Sequence, residues 1–205
     1  MKKLILLFMC FLISCQNEGD KEQQVIAYYH GDEKSIDEFD LTGVDQIIYS
    51  FLHLKGNKLA IDNETDSLTL INVVNQKNKY PNLKVLVSLG GWGGCETCSD
   101  VFSSKEAREE FAKSTADIIE FYNADGIDLD WEYPGISGYP GHKWKPEDKE
   151  NFTDLVILLR KYMKEGDILS LLDQHLWHLF YHPQLPNNLQ LDYHHTQAQQ
   201  FHKKK

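Results

Sequence analysis

The chain has 205 residues, of which 41% are hydrophobic and 25% are charged, the usage of an ordinary globular protein. Its formal charge is −10, with 31 acidic residues against 21 basic ones. Because nucleic-acid binding depends on Lys and Arg that neutralise phosphates, we expect no nucleic-acid partner, and a neutral or cationic partner fits better. A complete barrel of eight βα units takes about 250 residues, which is more than this chain has.

The first residues have the pattern of a bacterial export signal. Two lysines precede an apolar run over residues 4–13, which is shorter than the roughly 20 residues that a spanning helix needs. The run ends in LISC, which resembles the lipobox of bacterial lipoproteins. We expect residues 1–14 to be a lipoprotein signal peptide, Cys15 to carry the lipid and residues 15–24 to form a polar tether. The protein would then be exported, at the periplasm or cell surface, and meet a membrane only through that lipid. The alternative is an ordinary secretory signal with an incidental Cys.

Strand and helix signals alternate from residue 25 onward. Apolar and β-branched runs predict strands over residues 25–29, 46–54, 84–89 and 125–133, and residues 167–170 begin like a fifth. Leu68, Ile71 and Val74 have the spacing of a first helix. Ser103 and Glu106 resemble a capping box, which would open a second helix. A third helix is predicted from the apolar face that runs from Phe152 to Met163. This alternation is typical of an α/β protein with a parallel sheet, either doubly wound or barrel-shaped.

The fourth predicted strand carries four carboxylates. Asp128, Asp130 and Glu132 alternate along it, so their side chains leave one face, whereas Asp125 is out of phase. Three interpretations are open: a site for a hard cation such as Ca²⁺, a solvated acidic face, or acid catalysis. The extended pattern favours catalysis, because like charges held close together leave at least one carboxyl protonated.

Cys95 and Cys98 form a C-x-x-C pattern in a Gly-rich stretch. In an exported protein this pattern favours a local disulfide or two free thiols. A zinc site would need two further ligands, and no partner pair is evident, so we predict no metal site.

Two motifs on consecutive predicted strands resemble one known family. The letters DGIDLDWE at 125–132 resemble the D-G-x-D-x-D-W-E signature of the family 18 glycoside hydrolases, the chitinase family, and SLGG at 88–91 resembles their S-x-G-G motif. The resemblance covers about residues 25–170. It implies a (β/α)8 TIM barrel, truncated here to about its first four βα units, that hydrolyses chitin or other oligosaccharides of N-acetylglucosamine without any cofactor or metal.

The resemblance also implies a role for each acidic residue. Glu132 would be the general acid that holds a proton for the glycosidic oxygen, and Asp130 would orient the acetamido group of the substrate. Asp128 would share a proton with Asp130, and Asp125 would support the strand and its network. The nucleophile would be the substrate's own N-acetyl oxygen, with retention of configuration. The implied sugar-binding residues are Tyr28, Phe51, Gly91, Trp92 and Tyr133, with Tyr139 and Trp144 as further candidates in the loop that follows.

Residues 171–205 depart from the family pattern. They hold six of the nine His and no Gly, and they show no βα alternation. We interpret them as an aberrant His/Gln-rich tail that is out of frame or otherwise foreign to the family; the alternative is a genuine short variant. The Tyr of strand six and the Trp of strand eight that surround the family's sugar are not found. Two functional alternatives therefore stay open: an endo-β-N-acetylglucosaminidase acting on glycoprotein glycans, and an inactive glycan-binding remnant.

Overall fold

A computed structural model describes residues 24–172 and the backbone of 192–194. The strands are β1 (Ile26–Tyr29), β2 (Gln46–Lys55), β3 (Lys58–Ala60), β4 (Lys84–Gly90), β5 (Gly126–Asp130), β6 (Ile168–Leu172) and β7 (Asp192–His194). The helices are α1 (Glu64–Asn75), α2 (Cys98–Val101), α3 (Lys105–Tyr122) and α4 (Asp148–Tyr162), with 3-10 turns at Ser35–Glu38 and Gln76–Asn78. The predicted signal peptide and Cys15 lie outside the described residues, as does most of the 171–205 segment.

The predicted α/β class is confirmed by a parallel sheet in the order β1-β2-β4-β5-β6-β7. β3 adds an antiparallel hairpin to β2. Within the described residues the sheet is an open portion of a barrel, and β7 pairs in parallel with β6. The structure therefore places one short strand inside the segment in which the sequence shows no βα alternation. β5, which carries the carboxylates, lies between β4 and β6 and is not an edge of the sheet.

The strands are buried on both faces, as continuous apolar runs predict for a parallel sheet. Consecutive residues of β2 and β4 are almost wholly inaccessible: Ile47, Ile48, Val85, Leu86 and Val87. The helices cover the outside of this sheet through apolar faces that include Phe111 of α3 and Leu155 and Leu159 of α4. None of the helices that the structure describes combines the length and apolar character needed to cross a membrane.

Two local predictions were wrong in detail. In α1 the buried apolar side chains are Leu70, Val73 and Val74, whereas Leu68 and Ile71 are exposed. A strict three-residue spacing drifts around a helix of 3.6 residues per turn, so that of the three predicted positions only Val74 lies on the buried side. The cap of α3 is Ser104, not Ser103, because the Ser104 hydroxyl accepts a hydrogen bond from the backbone N–H of Ala107.

Candidate active site

Three of the four predicted carboxylates come together at the carboxyl end of β5. Asp128 is fully buried, Asp130 is 5% exposed, and Glu132 follows the strand and is partly buried. The strand ends at Asp130 and not at residue 133 as predicted. Trp131 is buried on the other side, where its ring packs against those of Phe102 and Phe152, with centroids 5.5 and 6.0 Å apart. This apolar packing fixes the chain between Asp130 and Glu132.

Asp128 accepts hydrogen bonds from hydroxyl groups of three different strands. Tyr28 of β1 and Ser88 of β4 each donate to Oδ2 at 3.0 Å, and Ser170 of β6 donates to Oδ1. Burial and the nearby Asp128 raise the pKa of Tyr28 far above its usual value, so its hydroxyl keeps the proton that it donates. These three donors hold the Asp128 carboxyl in one position between β1, β4 and β6.

The sequence alone indicates Ser88 only as part of the S-x-G-G motif and gives no role to Ser170. Both stand directly opposite Asp128 in the parallel ladders, Ser88 on β4 and Ser170 on β6. The available signal was the recurrence of a hydroxyl residue at equivalent positions of neighbouring strands, which can be used only once the register is known.

The surroundings of Asp130 strongly raise the pKa of its carboxyl. Its pKa is raised to about 8, first by burial and then by the negative charges of Asp128 and Glu132. Its Oδ1 atom is buried and has no hydrogen-bond partner among the described residues. A carboxyl in this state keeps its proton at neutral pH.

Glu132 was expected to hold a proton, and burial does raise its pKa. The hydroxyl of Tyr133 donates to Glu132 Oε1 at 3.3 Å and opposes part of that increase. Tyr133 therefore contacts the acid directly. The pKa is therefore raised at two neighbouring carboxyls, those of Asp130 and Glu132.

Asp125 does not join this cluster. It precedes β5 at the amino end of the strand, where it forms ion pairs with Lys77 at 2.9 Å and with Lys84 at 3.2 Å. Its carboxylate also accepts the backbone N–H of Val85 at 2.9 Å. These contacts join the amino end of β5 to β4 and Lys77, at the opposite end of the strand from the acidic cluster.

The S-x-G-G motif ties the end of β4 to the backbone of β5. Gly90 and Gly91 have φ values of +108° and +78°, which favour glycine. A Cβ on Gly90 would lie 2.4 Å from the carbonyl oxygen of Asp130, and the N–H of Gly91 donates to that oxygen at 3.0 Å. Close approach of the two backbones therefore requires glycine here, and it holds Asp130 in place.

Three of the predicted aromatic residues, Phe51, Trp92 and Tyr139, line a groove that also includes Gly90 and Gly91 at the end of β4. The rings of Tyr28 and Phe51 are 6.4 Å apart, and a Cβ on Gly91 would lie 2.6 Å from the Phe51 ring. Phe51, Gly91, Trp92 and Tyr139 line a groove of about 490 Å³. Trp92 is 60% exposed, so its indole is available to a ligand. Trp144, the other loop candidate, is also exposed.

Cys95 and Cys98 form a disulfide next to this groove. Both residues are buried. Of the two states that the sequence left open, a local disulfide or two free thiols, the structure has the disulfide. In residues 24–172 no group of three or more His, Cys, Asp or Glu side chains is arranged to hold a metal ion.

The family model for glycosyl hydrolases family 18 matches residues 24–203 of the chain. Chitinase A1 of Niallia circulans is 43% identical over 104 residues, which are 49% of this chain and 14% of that protein. The chitinase domain of the spore coat protein CotE from Clostridium difficile superimposes with a TM-score of 0.68 at 32% identity, covering 79% of this chain and 46% of that one.

A third relative was solved with a sugar. Catalytic domain 2 of the Group II chitinase from Ostrinia furnacalis, a mutant in complex with penta-N-acetylchitooctaose, has a TM-score of 0.66 at 26% identity over 78% of this chain and 46% of that one. The chain thus spans less than half the length of each of these relatives. The match of the family model over most of its residues shows that the chain belongs to glycosyl hydrolases family 18.

Proposed function

We propose that the chain hydrolyses β-1,4-linked N-acetylglucosamine polymers such as chitin, with Glu132 as the general acid. The observation that carries the proposal is the row of carboxyls at the carboxyl end of β5, in which Asp130 is buried with a pKa of about 8 and burial also raises the pKa of Glu132. Carboxyls that retain protons near neutral pH are what a glycosidase acid requires. The chitinase relatives agree with this substrate class.

The proposed reaction is substrate-assisted and retaining. Glu132 gives its proton to the glycosidic oxygen as the bond from that oxygen to the anomeric carbon breaks. The N-acetyl carbonyl oxygen of the substrate forms the new bond to the anomeric carbon, so no enzymic nucleophile is needed. Water then opens the cyclic intermediate, and Glu132 takes up the proton that the water loses.

Asp130 and Asp128 would stabilise the positive charge that develops on the acetamido group. Asp130 lies between Asp128 and Glu132, and its charge state depends on both. If Asp128 shares the proton of Asp130, Asp130 can become negative when the acetamido group becomes positive. The three hydroxyl donors around Asp128 hold it in position for this exchange.

The groove lined by Phe51, Gly91, Trp92 and Tyr139 would hold the sugar chain. Sugar rings have apolar faces that lie on aromatic rings, while their hydroxyl and amide groups bond to polar atoms. The exposed indole of Trp92 offers such a surface beside Gly91.

The test compares chitohexaose with an N-linked glycopeptide as substrates for the chain. Cleavage of chitohexaose, with the β-anomer as the first product seen by proton NMR, is the expected result. Cleavage of the glycopeptide alone would favour the endo-β-N-acetylglucosaminidase alternative. An α-anomer as the first product would contradict the substrate-assisted mechanism.

An inactive glycan-binding remnant is the second candidate function. It draws on the exposed indole of Trp92 in the groove, a surface that can hold a sugar without any step at Glu132. Binding of chitohexaose without turnover, at an affinity that Glu132→Gln leaves unchanged, would support this candidate. Turnover that depends on Glu132 would contradict it.

We also propose that the protein is exported and held at a bacterial membrane by lipid on Cys15. The proposal depends on the charged, apolar and LISC segments in residues 1–15. In a bacterial host, the chain should incorporate labelled palmitate and appear in the membrane fraction. Cys15→Ser should abolish both; a soluble, unlabelled wild-type protein would contradict the anchor.

A further inference from the structure

Trp92 is held by one aromatic neighbour from a different loop. Although 60% of Trp92 is exposed, its ring contacts that of Tyr139 edge to face, with centroids 5.5 Å apart and planes at 68°. Trp92 follows β4, and Tyr139 lies between β5 and α4. An exposed side chain that is free to rotate loses that freedom when it binds a ligand. The contact with Tyr139 restricts the indole before any ligand arrives.

The residues around Tyr139 allow its ring to lie close to the loop that carries Trp92. Gly93 has a φ of +93°, and a Cβ on it would lie 3.1 Å from the Tyr139 ring, so the missing side chain lets the ring lie close to the backbone. The ring of His142 contacts Tyr139 at a centroid distance of 4.7 Å. Tyr139 is 38% exposed and is thus more enclosed than the indole that it contacts.

The two loops are joined at a second place. Lys143 Nζ contacts Asp100 Oδ2 at 2.6 Å, and Lys145 Nζ donates to the carbonyl of Ser99 at 3.4 Å. Ser99 and Asp100 belong to α2, whose first residue, Cys98, is disulfide-bonded to Cys95. The segment that carries Tyr139 is therefore fixed to the segment that carries Trp92.

We propose that Tyr139 is a positioning residue that orders the indole of Trp92 for binding an N-acetylglucosamine unit. This inference rests on the proposed function, since it concerns the sugar groove of the same site. Tyr139 lines the same groove, and the effect on affinity that we propose for it acts through the indole of Trp92. Ordering one side chain in advance removes part of the cost of binding, which corresponds to about a 2- to 10-fold gain in affinity.

The experiment measures binding of chitohexaose to the 205-residue chain by titration calorimetry, with Glu132→Gln present in every protein so that the ligand is not cleaved. Tyr139→Ala should raise Kd by about 2- to 10-fold, and Tyr139→Phe, which keeps the ring, should stay within about 2-fold of wild type. Trp92→Ala should cost more. The double variant should bind no more weakly than Trp92→Ala, because Tyr139 has nothing left to position.

Phe121 provides a matched control. It is 78% exposed on α3 and contacts Tyr122 edge to face, with centroids 4.9 Å apart, as Tyr139 contacts Trp92. Phe121→Ala should leave Kd unchanged. Additive losses in the double variant, or a Tyr139→Phe variant as weak as Tyr139→Ala, would mean that Tyr139 touches the sugar itself, and would overturn the inference.

A second measurement needs no ligand. The near-ultraviolet circular dichroism of Trp92, taken as the difference between each protein and its Trp92→Ala version, should be lost in Tyr139→Ala and kept in Tyr139→Phe. Its persistence in Tyr139→Ala would overturn the inference even in a chain that binds no sugar. Failure of the wild type to bind chitohexaose, with this signal lost as expected, would instead contradict the proposed function.

Discussion

The aspartates at the two ends of β5 have opposite electrostatic surroundings. At the amino end, the negative charge of Asp125 is compensated by Lys77, Lys84 and the backbone N–H of Val85. At the carboxyl end, Asp130 is buried beside two other carboxyls, and one of its oxygens has no partner among the described residues. The first arrangement stabilises the fold, whereas the second costs stability and creates a carboxyl that holds a proton.

This contrast shows how one strand can contribute to the stability of the fold at one end and carry a protonated carboxyl at the other. Carboxylates paired with cations lower the free energy of the folded state, but their pKa is not moved toward neutrality. Carboxyls buried beside like charges reach a pKa useful for acid catalysis only because the rest of the fold holds them together. The packing of Trp131 between Phe102 and Phe152 and the contact of Gly90 with Asp130 supply that support.

The largest expected effect is loss of the proposed acid. Glu132→Gln keeps the shape of the side chain but removes the transferable proton, so kcat on chitohexaose should fall by about 10²- to 10⁴-fold. Thermal unfolding should change little, because Glu132 is only partly buried. Glu96→Gln, the same change at an exposed position after β4, is the control. Unchanged turnover in Glu132→Gln would remove this residue from the chemistry.

Because of Asp130, the free energy of unfolding should fall as pH rises. Its pKa is about 8 in the folded protein against 3.8 as a free side chain, so the folded state binds its proton more tightly. The contribution of Asp130 is therefore fully present below about pH 4 and is lost as pH rises through about 8. Asp130→Asn should remove that loss and exceed the wild type by about 5 kcal/mol in unfolding free energy at pH 8.

Urea unfolding at pH 4, 6 and 8 measures this effect. The difference between Asp130→Asn and wild type should grow with pH, and Asp117→Asn, on the exposed side of α3, should show no such growth. A difference that shrinks as pH rises would mean that the folded protein holds Asp130 ionised.

The sequence predicted the part of the site that depends on one strand alone. Side chains two residues apart on a strand share a face, so Asp128, Asp130 and Glu132 could be grouped without any knowledge of neighbours. The same period separated Asp125 from them. That the pKa of Asp130 would be raised to about 8 could not be predicted, because burial and the distances between charges are set by neighbouring strands.

Contacts between elements were the part that sequence reasoning missed. The donation from Ser170 to Asp128 depends on the register of β6 against β5, and the partners of Asp125 lie 48 and 41 residues away along the chain, at Lys77 and Lys84. The cap of α3 was placed one residue early because two adjacent serines offer the same signal, and only backbone geometry selects Ser104.

A smaller effect is expected at the amino end of β5. Asp125→Ala should lower the unfolding free energy by about 2 kcal/mol, because the N–H of Val85 loses a charged acceptor and Lys77 loses an ion-pair partner. The pH dependence attributed to Asp130 should persist in this variant. Its disappearance would show that Asp125 acts on the acidic cluster from a distance, contrary to the separation of the two ends.

The smallest expected effect comes from the more exposed partner at that end. Lys84 is 54% exposed and lies 3.2 Å from Asp125, whereas Lys77 is 22% exposed at 2.9 Å. Because solvent screens an exposed ion pair, Lys84→Ala should cost no more than about 0.5 kcal/mol, and Lys77→Ala should cost more. Urea unfolding of both variants in low and high salt measures the difference. If Lys84→Ala were the more destabilising, the compensation of Asp125 would come mainly from the exposed lysine, and burial would not explain the stability of this end.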